Sequence, residues 1–397
     1  MARIQSFKAN CSLKLYTAGS NKEIVINPLY IRSMAMDYKF DTNIMPIVYT
    51  ILDVDIEMYD TIVENATDGR FLVQIVNYDA NLGSTGGIRK YIVNDEFIYF
   101  LPNKYNYAKK LEDPGVDNTD GSGNTLHMVI GLMKAQLIYN NKVSFNGVYE
   151  NTTTELLLEK VLKGLPKLTM DEIENNKEYE ESFTLLPQQT RAQAIDYIFT
   201  DNPFYNTDYI FFMDFKKTYL LNSTGGPRED IDNHTVLFQI VKSNSAASYY
   251  NGVVKDAEDG VYVIYVDQSD ANFNINTTTD KVNNQIVAYD TDEVTKEDLN
   301  VTVSKVATTN KQEFAMVNQL GTDIRKNIMD NTAVTLNITK MNMDSSIITP
   351  DKCYQVKHAL YPDYDGKYLI MYKKDIISRA GEAFDTTTII GLQRINE

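Results

Sequence analysis

The residue types that most often perform chemistry in proteins are few and scattered in this chain. Its three histidines are His127, His234 and His358. None stands in an H-E-x-x-H motif or at ligand spacing from a cysteine, and the chain has no G-x-S-x-G turn. The sequence therefore gives no support to a metallohydrolase or a serine hydrolase, and we expect each histidine to be a surface or packed residue.

Pairs of carboxylates offer another kind of chemistry, because glycoside hydrolases use two of them held several ångströms apart. The fold, and not the sequence spacing, sets that separation. Candidates by residue type alone are Asp53, Asp55, Asp363 and Asp365. We expect them to be solvated residues at strand ends and turns, and we predict no catalytic, cofactor-binding or metal site.

Two glycine-rich stretches, residues 83–90 and 222–228, have the composition of phosphate-binding loops. Neither has G-x-x-x-x-G-K-[ST] spacing. A third stretch, residues 116–121, looks like part of a calcium-binding loop. When its glycine is placed at the sharp turn, Val116 occupies the first ligand position and His127 the twelfth, where a bidentate Glu belongs. The sequence therefore predicts neither nucleotide nor calcium binding, and no cofactor.

The charge of the chain is strongly acidic, with 54 Asp and Glu against 38 Lys and Arg and a net charge of −16. DNA-binding proteins need Lys and Arg to replace the counterions of phosphate, so a reader of nucleic-acid sequence is disfavoured. An acidic surface suits solubility, and it also suits a wall past which DNA slides without sticking. The two cysteines, Cys11 and Cys353, have no paired spacing, so we expect neither a disulfide nor a zinc site.

Length and composition describe a globular protein rich in β structure. With 397 residues and 43% hydrophobic content, the chain can form two or three domains with sizeable cores. It has 27 Tyr and 16 Phe but no Trp, a bias that favours strands and contact surfaces. The first residues lack an apolar signal core, and no run approaches the roughly 18 apolar residues of a membrane helix. We expect no membrane insertion and synthesis in a cytoplasm.

Two helices are predicted in the middle of the chain. Thr152 and Glu155 have capping-box spacing, and Gly164 can close the first helix in the left-handed conformation. Thr190 and Gln193 repeat the capping-box pattern at the start of the second helix.

A hairpin follows these helices. The aromatic and β-branched run 209–215 is separated from the run 218–221 by Lys216 and Lys217, which form a plausible tip. Residues 151–235 are therefore predicted to be a small helix-plus-hairpin module.

Strand patterns dominate both flanks of this module. Residues 1–150 are predicted to form an N-terminal β-barrel-like domain, with a short helix capped by Asp55 and with strands at 128–139 and 143–149. Residues 236–397 are predicted to form a C-terminal β-barrel-like domain, with a polar insertion at about 243–300 and a helix at 312–329. The fold class is thus α+β, mainly antiparallel β, with two β-barrel-like domains flanking the module.

As a whole, this layout resembles the baseplate hub proteins of contractile-tailed bacteriophages and related contractile injection systems. The resemblance is carried by residues 134–147, which lead into the capped helix at 152, by the middle helix and the hairpin containing Asp214, and by the closing residues 364–371 and 391–394. It is a match of architecture over most of the chain and contains no diagnostic motif.

The resemblance implies a structural virion protein of the tail baseplate, made in the host cytoplasm. It implies a homotrimer in which each subunit carries two related β-barrel domains, so that six barrels form a ring around a channel for DNA. Such a hub joins the tail tube protein to the spike protein and contacts baseplate wedge or other tail proteins. The acidic charge of the chain is compatible with the wall of that channel.

Two other classes of function remain open. Another baseplate or tail structural component, or a host-surface adhesin, would show a different symmetry or exposed Tyr-rich grooves that bind glycan. A polysaccharide-degrading enzyme would need two close carboxylates in a cleft, one of them with a raised pKa.

Overall fold

The structure is a computed structural model, and it describes residues 7–20, 22–40, 42–79, 89–102, 126–223, 236–242, 253–255, 262–276, 333–381 and 383–395. Several features considered above lie outside these residues. They are His234, the stretch 116–121, the helix predicted at 312–329, most of the 243–300 insertion, and most of both glycine-rich stretches.

Strands make up most of the described chain, and four α-helices accompany them. The helices are α1 (Ile56–Glu64), α2 (Ala135–Asn141), α3 (Thr154–Leu162) and α4 (Arg191–Asp201). The strands are β1 (Phe7–Tyr16), β2 (Glu23–Ile26), β3 (Ile31–Lys39), β4 (Ile47–Val54), β5 (Arg70–Asp79), β6 (Arg89–Phe100), β7 (Leu126–Lys134), β8 (Phe145–Thr153), β9 (Leu168–Met170), β10 (Glu178–Gln189), β11 (Tyr209–Met213), β12 (Thr218–Asn222), β13 (Val236–Val241), β14 (Val253–Lys255), β15 (Tyr262–Asp267), β16 (Ala271–Asn276), β17 (Ala333–Met341), β18 (Tyr354–His358), β19 (Gly366–Ala380) and β20 (Ala383–Arg394).

Strands from both ends of the chain are linked in a ring of pairings. The path runs β19, β3, β4, β7, β6, β5, β1, β20, and β20 pairs with β19 again. All of these pairs are antiparallel. Along β4 every second residue is buried, which is the period-two pattern of a strand with one face on a core. The predicted class, α+β with mainly antiparallel β structure, is confirmed, but the large sheet of the described residues as a whole is not a closed barrel.

A second group of strands continues the same sheet on the other side of the C-terminal hairpin. The strands β14, β15, β13 and β18 extend it from β19, and β17 and β16 extend it from β20. Within this group, β13 pairs with β15 and β18 in parallel. The β19–β20 hairpin therefore belongs to both groups. The predicted boundaries 1–150, 151–235 and 236–397 stay a prediction. The strands β19 and β20, from the third of these parts, pair with β3 and β1 of the first part.

The central module is a packed unit of its own. It contains α3 and α4, the two-stranded ribbon β8–β10 and the three-stranded sheet β11–β12–β9. The side chain of Thr190 accepts from the backbone N–H of Gln193, and the predicted capping box is confirmed. Gly164 has φ +85°, the predicted left-handed conformation. The hairpin is also confirmed, with a tip that spans residues 214–217.

Two local predictions were wrong. The cap of α3 is Thr153, the last residue of β8, whose side chain accepts from the backbone N–H of Leu156, and not Thr152. The strand predicted at 128–139 ends at Lys134, and α2 follows it. Contacts from the distant residues Arg191 and Ala192 hold that short helix. In addition, β10 was not predicted, because its sequence is mostly polar and exposed.

Candidate functional site

Side chains from three separate parts of the chain meet around the tip of the central hairpin. Residues 214–217 form this tip between β11 and β12. Tyr38 comes from β3 of the ring, and Lys373 and Asp375 come from the shared strand β19. The segment 345–352 closes the site from the C-terminal part. We call this place the joint, since it connects the module to both β-rich parts.

The hairpin that carries this tip is largely buried. Every residue of β12 is buried. The backbone N–H of Asp214 donates to the carbonyl of Lys217 at 2.7 Å and closes the tip. One residue earlier, the N–H of Met213 donates to the carbonyl of Ile44 at 2.7 Å. The hairpin is thus bonded through its backbone to the chain that follows β3.

Aromatic packing reinforces this attachment. The rings of Phe40 and Phe212 meet edge to face with centroids 4.8 Å apart. Phe215 lies 6.1 Å from Tyr38 and 5.8 Å from Phe97, again by ring centroids. Each such pair contributes about 0.5–1.5 kcal/mol beyond the burial of its surface. The module is therefore held to the ring by an apolar contact in addition to hydrogen bonds.

A buried ion pair occupies the floor of the joint. Lys373 and Asp375 are each 5% exposed, and Nζ lies 3.7 Å from Oδ2. The ammonium also donates to the carbonyls of Ser345 and Ile348, at 3.2 and 3.3 Å. Buried charges are tolerated only when they are paired and hydrogen-bonded, and this ammonium meets both conditions.

The carboxylate of the pair is equally well satisfied. Asp375 accepts from the hydroxyl of Ser345 at 3.0 Å and from that of Thr388 at 2.9 Å. On the other side of the pair, Nζ of Lys373 lies 4.3 Å from the centroid of the Tyr38 ring, a cation–π contact. The ion pair therefore bonds to the segment after β17, to β20 and to the ring.

Burial raises the pKa of three acidic side chains around the joint. It raises the pKa of Asp214, and the nearby ammonium of Lys373 only partly opposes that shift. It also raises the pKa of the Tyr38 and Tyr219 phenols well above the ordinary value. The joint is therefore a low-dielectric environment in which charge is expensive.

The tip does not fill the joint completely. A cavity of about 150 Å³ remains, lined by the hairpin tip, Tyr38, Tyr219, the segment 345–352 and the ion pair. The hydroxyls of Tyr219 and Thr349 are buried and have no hydrogen-bond partner among the described residues. The cavity therefore presents two unsatisfied hydroxyls beside several charged groups.

The sequence-predicted aspartates have local structural contacts. Asp53 lies 2.7 Å from Nδ1 of His127, and both side chains are partly exposed. Asp55 caps α1 as predicted, and its pKa is lowered by hydrogen bonds from the Tyr30 hydroxyl and the Met58 backbone. Asp365 accepts from the backbone N–H of His358 at 2.7 Å. Asp363 lies in the 3₁₀ turn Pro362–Tyr364 that precedes β19.

His358 is a packed residue, as expected. It is buried, and its Nδ1 accepts from the backbone N–H groups of Leu360 and Tyr361, both at 3.1 Å. Burial lowers the pKa of its imidazole. The His358 imidazole therefore holds the turn formed by residues 358–361.

The described residues contain no group of three or more His, Cys, Asp and Glu placed to hold a metal ion. Cys11 is buried and Cys353 partly buried, and both are free thiols. Burial raises the pKa of the Cys11 thiol to about 12, which makes it inert as a nucleophile. No helix among these residues is long and apolar enough to cross a membrane.

Sequence reasoning missed the joint because its members are far apart in the chain. A signal did exist on β19, where Lys373 and Asp375 stand two residues apart and so share one face of the strand. The residues next to them, Tyr372, Lys374 and Ile376, show no period that would mark that face as the buried one. Only the position of β19 between β3 and β20 decides it.

Among solved structures, the chain is similar to proteins of phage tails and of a secretion system. A tail protein from Neisseria meningitidis MC58 is 10% identical over 97% of this chain and 97% of that chain, with a TM-score of 0.47. The 43 kDa tail protein of prophage MuSo2 from Shewanella oneidensis is 10% identical over 98% and 99%, with a TM-score of 0.44.

The E. coli c3393 protein, a component of the type VI secretion system, is 8% identical over 95% of this chain and 76% of that chain, with a TM-score of 0.36. These neighbours are proteins of the kind that the sequence was found to resemble. No model of a protein family matches the chain. No curated protein matches it in sequence.

Proposed function

We propose that this protein is a structural subunit of a virion tail baseplate, and that it acts there as the hub. The observation that supports a mechanical role is the shared hairpin β19–β20. Its two strands pair with β3 and β1 of the ring and also with β18 and β17 of the C-terminal group. A force applied to either β-rich part is carried to the other through continuous strands.

The hub proposal assigns a place and partners to the subunit. Three copies surround a channel for DNA and join the tail tube protein on one face to the spike protein on the other, with wedge or other tail proteins around them. Among the described residues, the sheet path ends at β14 and β16. Unpaired strand edges are surfaces on which neighbouring chains pair, so these ends are suited to contacts within the assembly.

The distribution of tyrosine favours this role over that of an adhesin. An adhesin would present tyrosines in exposed grooves for glycan. In the described chain, however, Tyr99, Tyr205, Tyr219, Tyr354 and Tyr368 are among the largest fully buried side chains. These five tyrosines therefore serve packing, which agrees with a protein that bears load.

The test is the mass of the purified full chain by light scattering, followed by rotational averaging of particle images. We expect a trimer that appears as a ring with a central opening. A second arm mixes the protein with a short DNA duplex at low salt, where phosphate contacts are strongest, and we expect no binding. A dimer, a filament or tight DNA binding would contradict the hub role.

A further inference from the structure

The chain between β18 and β19 turns around a side chain that can be protonated. His358 is the last residue of β18, and only 5% of it is exposed. Its Nδ1 accepts from the backbone N–H groups of Leu360 and Tyr361, both at 3.1 Å. A nitrogen that accepts hydrogen bonds carries no proton, so this arrangement requires the neutral imidazole with its proton on Nε2. We call residues 358–361 the His358 turn.

Protonation would convert the acceptor at the centre of the His358 turn into a donor. An imidazolium carries a proton on both ring nitrogens. The new Nδ1–H would face two backbone N–H groups, which would lose their acceptor at the same time. Donors that lose their acceptor inside a protein cost free energy. The charged form of the imidazole is therefore incompatible with the closed turn.

The surroundings of the imidazole are mostly rings and apolar side chains. The ring of Phe273, from β16, lies 5.6 Å away by centroids. The rings of Tyr361 and Tyr364, which belong to the chain leading into β19, lie at 5.0 and 6.1 Å. From β13, Ile240 is opposite His358 in the parallel pairing. Such an environment disfavours a charged imidazole.

A single carboxylate opposes this effect among the described residues. Asp365 favours the imidazolium by its charge, but its Oδ1 already accepts from the backbone N–H of His358 at 2.7 Å. Burial outweighs the carboxylate and lowers the pKa of the imidazole below the ordinary value. The folded protein therefore keeps His358 neutral at neutral pH.

The His358 turn is connected to two further strands. Tyr364 stacks on Phe273 of β16, with ring centroids 4.2 Å apart and planes inclined by 17°. The carbonyl of Tyr364 accepts from the hydroxyl of Tyr368, in β19, at 2.8 Å. Among the described residues, β16 is an end of the sheet path. A change in the turn therefore reaches an edge of the sheet and the start of the shared hairpin.

We propose that the His358 turn is an acid-sensitive switch, closed while the imidazole is neutral and open when it takes up a proton. Opening frees the backbone N–H groups of Leu360 and Tyr361 and weakens the aromatic stack against β16. The flanking strand β18 keeps its ladder bonds to β13 and β19, so the change is local.

The direction of the pH dependence follows from the neutral imidazole. Below the ordinary pKa of histidine, about 6.5, the unfolded chain binds a proton at His358 more readily than the folded protein does. The stabilisation from the closed turn is therefore complete above that pH. It is lost as the pH falls through the pKa of the folded state.

The experiment measures hydrogen exchange of the full chain by mass spectrometry at a series of pH values. The intrinsic exchange rate at each pH is divided by the measured rate, which gives a protection factor for the amides of Leu360 and Tyr361. We expect this factor to fall by about tenfold between pH 8 and pH 4.5, the size of one lost hydrogen bond. Amides of β4, in the core of the ring, serve as the internal reference and should stay protected.

Substitution of each histidine locates the titrating group. In His358→Asn, the amide oxygen can take the place of Nδ1 as acceptor but does not titrate. This variant should keep its protection at both ends of the pH series. The matched control is His127→Asn, which removes a histidine that is 48% exposed and paired with Asp53. The control should show the same acid response as the wild type.

A third variant moves the transition without removing the imidazole. Asp365→Asn removes the charge that raises the pKa of His358, and its amide oxygen can still accept from the His358 backbone. Its loss of protection should therefore occur at lower pH than in the wild type.

Each outcome decides the question. A local loss of protection that His358→Asn abolishes and His127→Asn retains supports the switch. A similar loss in β4 indicates general acid unfolding and overturns it, as does a wild type that shows no acid response. A response that persists in His358→Asn, or disappears in His127→Asn, assigns the titration to another group and also overturns it. If His358→Asn does not fold, Asp365→Asn decides: a transition at lower pH supports the switch, and an unchanged one overturns it.

Discussion

Lys373 and Asp375 stand two residues apart on β19, and Nζ of the lysine lies 3.7 Å from Oδ2 of the aspartate inside the protein. Lys373 is directly opposite Tyr38 in the pairing of β19 with β3, and its ammonium lies over that ring. The pair thus sits where the shared hairpin, the ring and the central module meet. Its removal is the most direct test of how much the joint contributes to the stability of the subunit.

Asp375→Asn should destabilise the protein by about 3–5 kcal/mol, because it leaves the Lys373 ammonium buried without its counter-charge. Urea unfolding of the full chain measures this loss. The matched control is Asp385→Asn, which breaks the pair of Asp385 with Lys8, where the atoms are 3.6 Å apart and both side chains about one-third exposed. That change should cost less than about 1 kcal/mol. Equal losses of unfolding free energy in the two variants would show that the buried ion pair contributes no more to stability than the exposed one.

Gly391→Ala should destabilise the protein by about 1–3 kcal/mol, the usual range for overpacking. The Tyr372 ring lies directly against Gly391 on the neighbouring strand, so an added Cβ would collide with it. The collision disappears when the ring is removed. In a Tyr372→Ala background, the same glycine substitution should therefore be nearly neutral, and a double-mutant cycle in urea measures the coupling. Additive effects would contradict this account.

The cap of α3 can be tested with two adjacent threonines. Thr153→Ala should cost about 1 kcal/mol, because it removes the side chain that accepts from the backbone of Leu156. Thr152→Val should be neutral or stabilising, since the Thr152 hydroxyl is buried without a partner among the described residues. Chemical unfolding of both variants gives the comparison. A larger loss for Thr152→Val would restore the sequence-based assignment of the cap.

Asp214 should make stability depend on pH. Burial raises the pKa of its carboxyl in the folded state above the value in the unfolded state. At pH values between these two pKa values, the folded protein therefore binds the proton more tightly than the unfolded protein does. Stability from this group is therefore lost as pH rises through that interval. Asp214→Asn removes the titration, and the variant should gain stability relative to the wild type at pH 7 but not at pH 4.

Asp201 is the control with the opposite sign. Burial would raise the pKa of its carboxyl, but hydrogen bonds from Lys177 and Tyr179 outweigh burial and lower it. Its contribution is present at neutral pH and lost as pH falls through the folded pKa. Asp201→Asn should thus be less stable than the wild type at pH 7, with the difference shrinking towards acid. Unfolding curves at a series of pH values distinguish the two slopes, and slopes of the same sign would refute the assignment.

Phe211→Asp should destabilise the subunit by several kcal/mol. Phe211 lies in β11 of the central hairpin and is 7% exposed, so the variant would lose a ring from the core and bury a carboxylate. Val148→Asp, at a strand residue that is 61% exposed, is the control and should change the melting temperature little. An unchanged melt for Phe211→Asp would show that the hairpin is not part of the core.

Local sequence signals determined the local structure wherever neighbouring residues supply the interactions. The capping box of Thr190 and Gln193, the cap by Asp55, the turn at Gly164 and the hairpin around Lys216 were all predicted, and the structure contains them. Caps and turns are bonds between residues a few positions apart, so their energy is readable from spacing alone.

Tertiary contacts decided what local signals left ambiguous. The stretch 135–141 has apolar residues that fit a strand or a helix, and it is a helix because Arg191 donates to the carbonyl of Asn140 at its end. The pairing of β8 with β10 extends through both Thr152 and Thr153, so α3 begins only at Thr154 and the last residue of the strand, Thr153, is its cap.

The joint depended wholly on the tertiary structure. Its residues, Tyr38, Asp214, Tyr219, Thr349 and Lys373, are brought together by strand pairings between the two ends of the chain and by the docking of the hairpin. Whether a lysine or a tyrosine is exposed or buried follows from what packs against it, and that is a property of the assembled sheet. The residue types were therefore visible in the sequence, whereas their proximity and their unsatisfied hydroxyls arose only on folding.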